Sequence, residues 1–283
     1  MRNLLVIVCV SFSNIVSGQK IFFHEYDLTK KTYSFVLQEG ESTLRYPAIY
    51  LGGNWKVLGD KFFGSTSNAI KLYTGRDSNL ASTILYSTKN FIQDFDVTAK
   101  YLFTIESSEE QYLNDDGRCL KTCLEDSKQE VLSCLNNRNL YNLRASPFSD
   151  ELIVIEKNDS VVIVGVCNTE KNQYRMLEKF NIYQVDLDFH NKAVWLDKST
   201  FSVIVRNKNQ KFEVLEINTS NGSRIRIDPK VDGKIIDFDF HSGAYYFLVK
   251  EKNSVFVSTL RNSERQEIVG DNNFRVISGF EIN

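Results

Sequence analysis

The sequence predicts an all-β fold, a six-bladed β-propeller of four-stranded blades with one short helical insertion and a ring closed by strands from both termini. Three observations carry this. First, Asp186-Leu-Asp-Phe-His-Asn-Lys-Ala-Val-Trp-Leu-Asp197 recurs in the same order of residue types as Asp237-Phe-Asp-Phe-His-Ser-Gly-Ala-Tyr-Tyr-Phe-Leu248, each copy reading as strand, two-residue turn and aromatic strand. A weaker copy begins at Asp94-Phe-Asp96, and one without the paired acids at Ser146. Second, a repeat spacing roughly in the forties of residues, with alternating and β-branched runs instead of a 3.6 period, suits a four-stranded blade. Third, Phe274–Ile282 reads as the opening strand of a blade with nothing after it, and its natural partners are the first strands of the chain.

In order along the chain, Met1–Gly18 has the form of a secretory signal. Arg2 is the charged start, Leu4–Phe12 the apolar run and Val16-Ser-Gly18 the small-residue cleavage site. A buried first strand is the competing reading. The expected product is a secreted, extracellular, monomeric protein with one propeller domain over 19–283. No later run approaches ~18 apolar residues, so no membrane anchor is expected. Formal charge is −2, from 34 basic and 36 acidic residues without a basic stripe, which argues against nucleic acid as partner.

Lys20–Tyr26 and Lys31–Leu37 give the outer half of a blade, and Tyr46–Tyr50, Trp55–Leu58, Lys61–Gly64 and Ala69–Tyr73 the strands of the first complete one. The next opens near Phe91 and is interrupted by an insertion over about 114–139, where a short helix is expected, capped by Asp126 or by Ser127, with Glu130 three residues beyond Ser127 as in a capping box. Leu143–Phe180 supplies the following blade. Its run Val161-Val-Ile-Val-Gly-Val166 lacks alternation and is expected to be covered on both faces. Val185–His190, Ala193–Asp197, Phe201–Val205 and Phe212–Ile217 make the next, and Ile235–Val269 the last.

Loss of the leader removes Cys9 and leaves Cys119, Cys123, Cys134 and Cys167, an even set that suits two disulfides in an oxidising compartment. A structural zinc site is the alternative, but the Cys-x3-Cys pair lacks zinc-finger spacing. Asn158, Asn218 and Asn221 open Asn-x-Ser/Thr sequons in polar turns and are candidate glycosylation sites.

The Asp186–Asp197 stretch resembles the inner strand, turn and aromatic strand of propellers of the YWTD, NHL and regucalcin-like kind, and Val194-Trp-Leu-Asp197 approximates YWTD itself. In length, secretion and blade texture the chain is also similar to the insect ommochrome-binding proteins. That resemblance implies a carrier of a tryptophan-derived pigment, although no diagnostic motif transfers a binding residue.

The candidate ligand-binding residues are Asp186, Asp188, His190, Trp195, Asp237, Asp239, His241 and Tyr246. Repeated acids on inner strands, with Asp94 and Asp96, have two readings. They converge on the axis and hold a cation such as Ca²⁺, or they tie blades together through backbone N–H groups. His190 and His241, equivalent in the repeat, are a candidate metal pair or two polar strand ends. Trp55, Tyr101, Phe103, Trp195, Tyr245 and Tyr246 fall in or near second strands, as a stacking surface or as core. There is no Gly-x-Ser-x-Gly and no phosphate-binding glycine loop. The expected function is therefore binding of a small aromatic or apolar ligand, with no resident cofactor. An extracellular protein-interaction module and a Ca²⁺-dependent hydrolase or lactonase are the alternatives.

Overall fold

The computed structural model describes residues 19–40, 42–47, 54–59, 61–74, 81–108, 117–252, 254–260, 265–269 and 275–282. The expected signal segment lies outside them.

Blade 1 comprises β4 (Trp55–Leu58), β5 (Lys61–Ser65), β6 (Ala69–Thr74) and β7 (Ala81–Ser87), and blade 2 comprises β8 (Phe91–Val97), β9 (Tyr101–Ser107), β10 (Arg118–Cys123) and β11 (Gln129–Val131). Blade 3 is β12 (Leu140–Ala145), β13 (Glu151–Lys157), β14 (Val161–Asn168) and β15 (Gln173–Asn181). Blade 4 is β16 (Val194–Trp195), β17 (Thr200–Arg206), β18 (Phe212–Asn218) and β19 (Arg224–Ile227). Blade 5 is β20 (Lys234–His241), β21 (Ala244–Glu251), β22 (Ser254–Thr259) and β23 (Arg265–Val269). Blade 6 joins the termini: β24 (Arg275–Ile282) is innermost and pairs antiparallel with β1 (Lys20–Asp27), followed outward by β2 (Thr32–Glu39) and β3 (Ser42–Pro47). The expected closure of the ring by both termini is what the chain adopts, with β24 laid along β1 to complete the blade.

The core lies between blades. Each of six apolar clusters straddles one junction, for example Phe63, Ile70 and Tyr86 of blade 1 against Ile92, Phe95 and Leu102 of blade 2. Phe22, Phe35, Trp55 and Phe62 interlock edge to face across the junction of blades 6 and 1. At roughly 1.5–3 kcal/mol for each large side chain removed from water, these junctions are the main favourable term holding the ring together. The run at Val161–Val166 is covered on one face, with Val162, Val164 and Val166 buried, while on the other Val161 and Ile163 are only half-buried.

Three readings are corrected. Tyr46 belongs to β3 of the closing blade and not to blade 1, whose fourth strand is the exposed β7. The supposed insertion is the outer half of blade 2. Ser127, expected to cap a helix, sits at φ 59° in the β10–β11 turn, where Asp126 Oδ1 accepts from Lys128 N at 3.0 Å. Among the described residues of that segment, only Ser133–Leu135 is helical, as one 3-10 turn. Third, Val185–His190 is not the inner strand of blade 4, since only Val185 makes an isolated bridge, to Val205. Among Cys119, Cys123, Cys134 and Cys167, no pair of sulfurs stands at disulfide-bonding distance.

Candidate functional site at the propeller axis

The inner strand of blade 4 explains the organising motif. Val185 faces Val205 and Val194 faces Ser202, so while β17 advances three residues this strand advances nine. The surplus, Asp186–Ala193, loops out and enters the axis.

His190 carries this plug against blades 1 and 6. Its ring lies flat on Trp55 of blade 1, with centroids 4.2 Å apart and planes 14° from parallel, and its Nε2 stands 3.2 Å from Glu281 Oε1 of blade 6. Burial, then the neighbouring Lys56 and Arg144, push its pKa well below the usual histidine value. The ring is therefore neutral, and its Nε2–H tautomer donates to the carboxylate. Gly279 makes room for it: a Cβ there would lie 2.3 Å from His190 Cβ. Asn191 gives its backbone N–H to Asp237 Oδ1 at 2.9 Å and its side-chain N–H to Phe280 O at 2.8 Å. Its own Oδ1 accepts from Arg144 Nη2. Lys192 folds back on Phe189 O at 2.9 Å.

The repeated acids on true inner strands act between blades. Asp94 Oδ2 accepts from Leu143 N at 2.8 Å and Asn142 Nδ2 at 2.6 Å, and Asp96 Oδ2 accepts from Ala145 N at 2.8 Å, linking blade 2 to blade 3. Asp237 Oδ2 accepts from Phe280 N at 3.1 Å and Asp239 Oδ2 from Ile282 N at 2.8 Å, linking blade 5 to blade 6. Glu281 Oε2 accepts from Val57 N at 2.6 Å, and Asn54 Nδ2 donates to Gln93 O at 2.7 Å, continuing the ring through blades 1 and 2. Arg144 Nε donates to Ala193 O at 3.2 Å and Trp195 Nε1 to Arg144 O at 3.1 Å, joining blades 3 and 4. Asn191 to Asp237 completes the circuit between blades 4 and 5.

Buried charge pervades this axis. Arg144 Nη1 lies 3.8 Å from Asp96 Oδ1 and 3.7 Å from Glu281 Oε1, and Lys56 Nζ is 3.9 Å from the same Glu281 oxygen. Desolvation raises the Asp94 and Glu281 carboxyls and lowers the Lys56 and Lys192 ammonium groups. It pushes Asp237 and Asp239 up to about 7. Burial works against the Arg144 charge as well, but Asp96 and Glu281 more than offset it, and its pKa is raised. The arrangement is a closed electrostatic seam. Among the described residues, no group of three or more His, Cys, Asp or Glu side chains converges to hold a metal ion.

The remaining predicted site residues lie elsewhere. Asp186 pairs with Arg206 Nη2 at 2.8 Å, and Asp188 is exposed. Trp195 and Tyr246 are buried, the latter accepting from Gln19 Nε2 at 2.9 Å. His241 is half-buried at the end of β20, beside a hairpin turn at Ser242-Gly243 with both φ positive, so it is not the counterpart of His190. Trp55 and Trp195 belong to inner strands, not second strands. Lys56, Arg144, Asn191 and Glu281 were missed by sequence reasoning. For Lys56, Arg144 and Glu281 the signal is a charge within a short, largely apolar strand, whereas Asn191 lies in the plug and carries none.

Open space is found on the disc face that carries the turns between first and second strands. There a groove of about 630 Å³ is lined by Phe148 of the β12–β13 turn and Leu196, Asp197, Lys198 and Ser199 of the β16–β17 turn. Phe148 is 56% exposed. Asp197 Oδ1 accepts from Ser199 N at 2.7 Å, which holds this turn in shape and keeps the carboxyl below its usual range.

No family model matches the chain, and no curated protein matches it. Among solved structures it is similar to a chain of a nidogen/laminin complex, at 12% identity and TM-score 0.60 over 94% of this chain and 98% of that one. It is also similar to TolB from Acinetobacter baumannii, at 12% identity and TM-score 0.61 over 93% and 67%. An oligogalacturonate lyase in complex with manganese matches at 9% identity and TM-score 0.57 over 89% and 82%. These likenesses establish the fold alone: this is a six-bladed propeller. None supports the ommochrome-binding resemblance.

Proposed function

We propose that this chain is an extracellular protein-interaction propeller that engages its partner on the face bearing Phe148 and Leu196. The observation that carries the reading is the division of the molecule into a sealed axis and an open face. The acids and His190, expected to orient a planar ligand in the channel mouth, are engaged by neighbouring strands and by the plug. An exposed aromatic beside an apolar residue, rimmed by Asp197 and Lys198, has instead the make-up of a protein-binding patch. One similar structure, the nidogen/laminin complex, is itself a protein assembly. The extracellular part of the proposal rests on the Met1–Gly18 pattern and on the sequons, of which Asn158 and Asn221 are exposed while Asn218 is half-buried, its Oδ1 accepting from Ser220 N and Asn221 N at 2.9 and 3.0 Å.

The test is purification of the undenatured protein from its native source, followed by absorption spectroscopy and mass analysis. A colourless protein that co-elutes with a stoichiometric protein partner, released by Phe148→Asp, is the expected result. A co-eluting small chromophore and no partner would replace this reading with the pigment carrier.

A further inference from the structure

We propose that Cys134 and Cys167 are joined by thiol–disulfide exchange into one disulfide that staples blade 2 to blade 3, and that Cys119 and Cys123 stay thiols. The two sulfurs stand 3.0 Å apart, so bond formation at ~2.05 Å requires a closure of about 1 Å, within reach of a small side-chain or backbone adjustment. The elements that carry them are already docked. Cys134 lies in the 3-10 turn after β11, where its N–H donates to Asn172 Oδ1 at 3.0 Å, and Asn172 Nδ2 donates to Ser133 Oγ at 2.7 Å. Asn172 belongs to the β14–β15 turn of blade 3, at the end of the strand that bears Cys167. Arg138 holds the same junction. It donates to Cys134 O at 3.3 Å and to Glu156 Oε1 at 3.1 Å, with its guanidinium 3.7 Å over the Tyr174 ring. Cys119 and Cys123 cannot pair with each other, because four residues along strand β10 separate them by about 13 Å.

The order of events follows from exposure. Cys134 is half-buried and Cys167 fully buried. Burial pushes the thiols of Cys167 and Cys119 up, so neither begins the exchange. The oxidant required is a small disulfide such as glutathione disulfide. The Cys134 thiolate attacks one of its sulfurs and expels a glutathione thiolate. Cys167 then loses its proton to the departing group and attacks the Cys134 sulfur of the mixed disulfide, expelling the second glutathione. Two protein thiols are oxidised by two electrons, and one glutathione disulfide becomes two glutathiones.

The experiment equilibrates the reduced, folded full-length chain with glutathione disulfide, blocks remaining thiols with iodoacetamide in denaturant, and maps peptides without reduction. The expected map shows Cys134 linked to Cys167, with Cys119 and Cys123 alkylated, and C119A gives the same link. C134A gives no link and leaves Cys167 alkylated. The oxidised wild type melts at a higher temperature than the reduced form. A link involving Cys119 or Cys123, four alkylated cysteines, or glutathione retained on Cys134 without onward reaction would overturn the proposal. The wild-type map decides the matter even if C134A does not fold.

Discussion

Arg144 on β12 and Glu281 on β24 belong to blades on opposite sides of the ring, yet Nη1 and Oε1 meet at 3.7 Å. The axis is narrow enough for one side chain to span it. Both groups are nearly removed from water, with side chains 12% and 11% exposed, so removal of either unbalances the buried charge that Asp96 and Lys56 share with them. Arg144→Met and Glu281→Gln are each expected to lower unfolding free energy by ~3–5 kcal/mol. The double variant is expected to lose clearly less than the sum, and urea unfolding of the four proteins measures the coupling.

The plug depends on a missing Cβ. At Gly279, φ is +154° and an added methyl would meet His190 Cβ at 2.3 Å and Cγ at 2.8 Å, both close to rigid backbone. Gly279→Ala is therefore expected to displace His190 from Trp55 and loosen Asp186–Ala193. Limited trypsin digestion checks this: cleavage after Lys192 is absent in the wild type and present in the variant.

Much of this architecture was legible in the sequence, and the exceptions have physical causes. Asp94-Phe-Asp96 and Asp237-Phe-Asp239 mark true inner strands because an acid there can reach the backbone of the next blade. Asp186-Leu-Asp188 has the same residue order, but the surplus residues before Val194 leave the strand, and local pattern cannot distinguish a strand from a loop that departs from it. β7, β11 and β19 escaped notice because they are solvated outer edges, with Ala81–Thr83, Gln129–Val131 and Arg224–Arg226 exposed. Such strands carry the polar residues that discourage edge pairing, and so they lose the hydrophobic signature of a strand. Arg144 and Glu281 meet only through ring closure, which brings together positions 137 residues apart.

Acidity separates two opposing contributions. Asp237 and Asp239 are raised by burial to about 7, above the ~3.9 of an unfolded chain. Their contribution to stability is complete below about pH 4 and is lost as pH rises through about 7, because the folded state holds the extra protons in that window. His190, depressed in the fold, acts the other way: its contribution is present above the unfolded value of ~6.5 and is lost as pH falls. Asp239→Asn keeps one acceptor for Ile282 N and removes one titration. Relative to that variant, the wild type is expected to lose ~1.4 kcal/mol per pH unit between about pH 4 and about pH 7. Urea midpoints across that range check the slope, and equal slopes for both proteins would contradict it.

Phe148→Asp tests the open face without disturbing the ring. The side chain is 56% exposed, so unfolding free energy is expected to change by no more than ~0.5 kcal/mol. Binding of the co-purifying partner is expected to fall by at least about tenfold, as for loss of an interface anchor, and titration of the isolated partner measures it.

Hydrogen exchange at the axial amides tests most directly whether the axis is sealed and binding falls to the face. The backbone N–H groups of Val57, Leu143, Ala145, Phe280 and Ile282 all donate to buried carboxylates. They are expected to exchange only through global unfolding, at rates unchanged by planar aromatic metabolites. Fast exchange at these five positions, or protection that rises when such a metabolite is added, would mean that the axis opens to a ligand and would contradict the account.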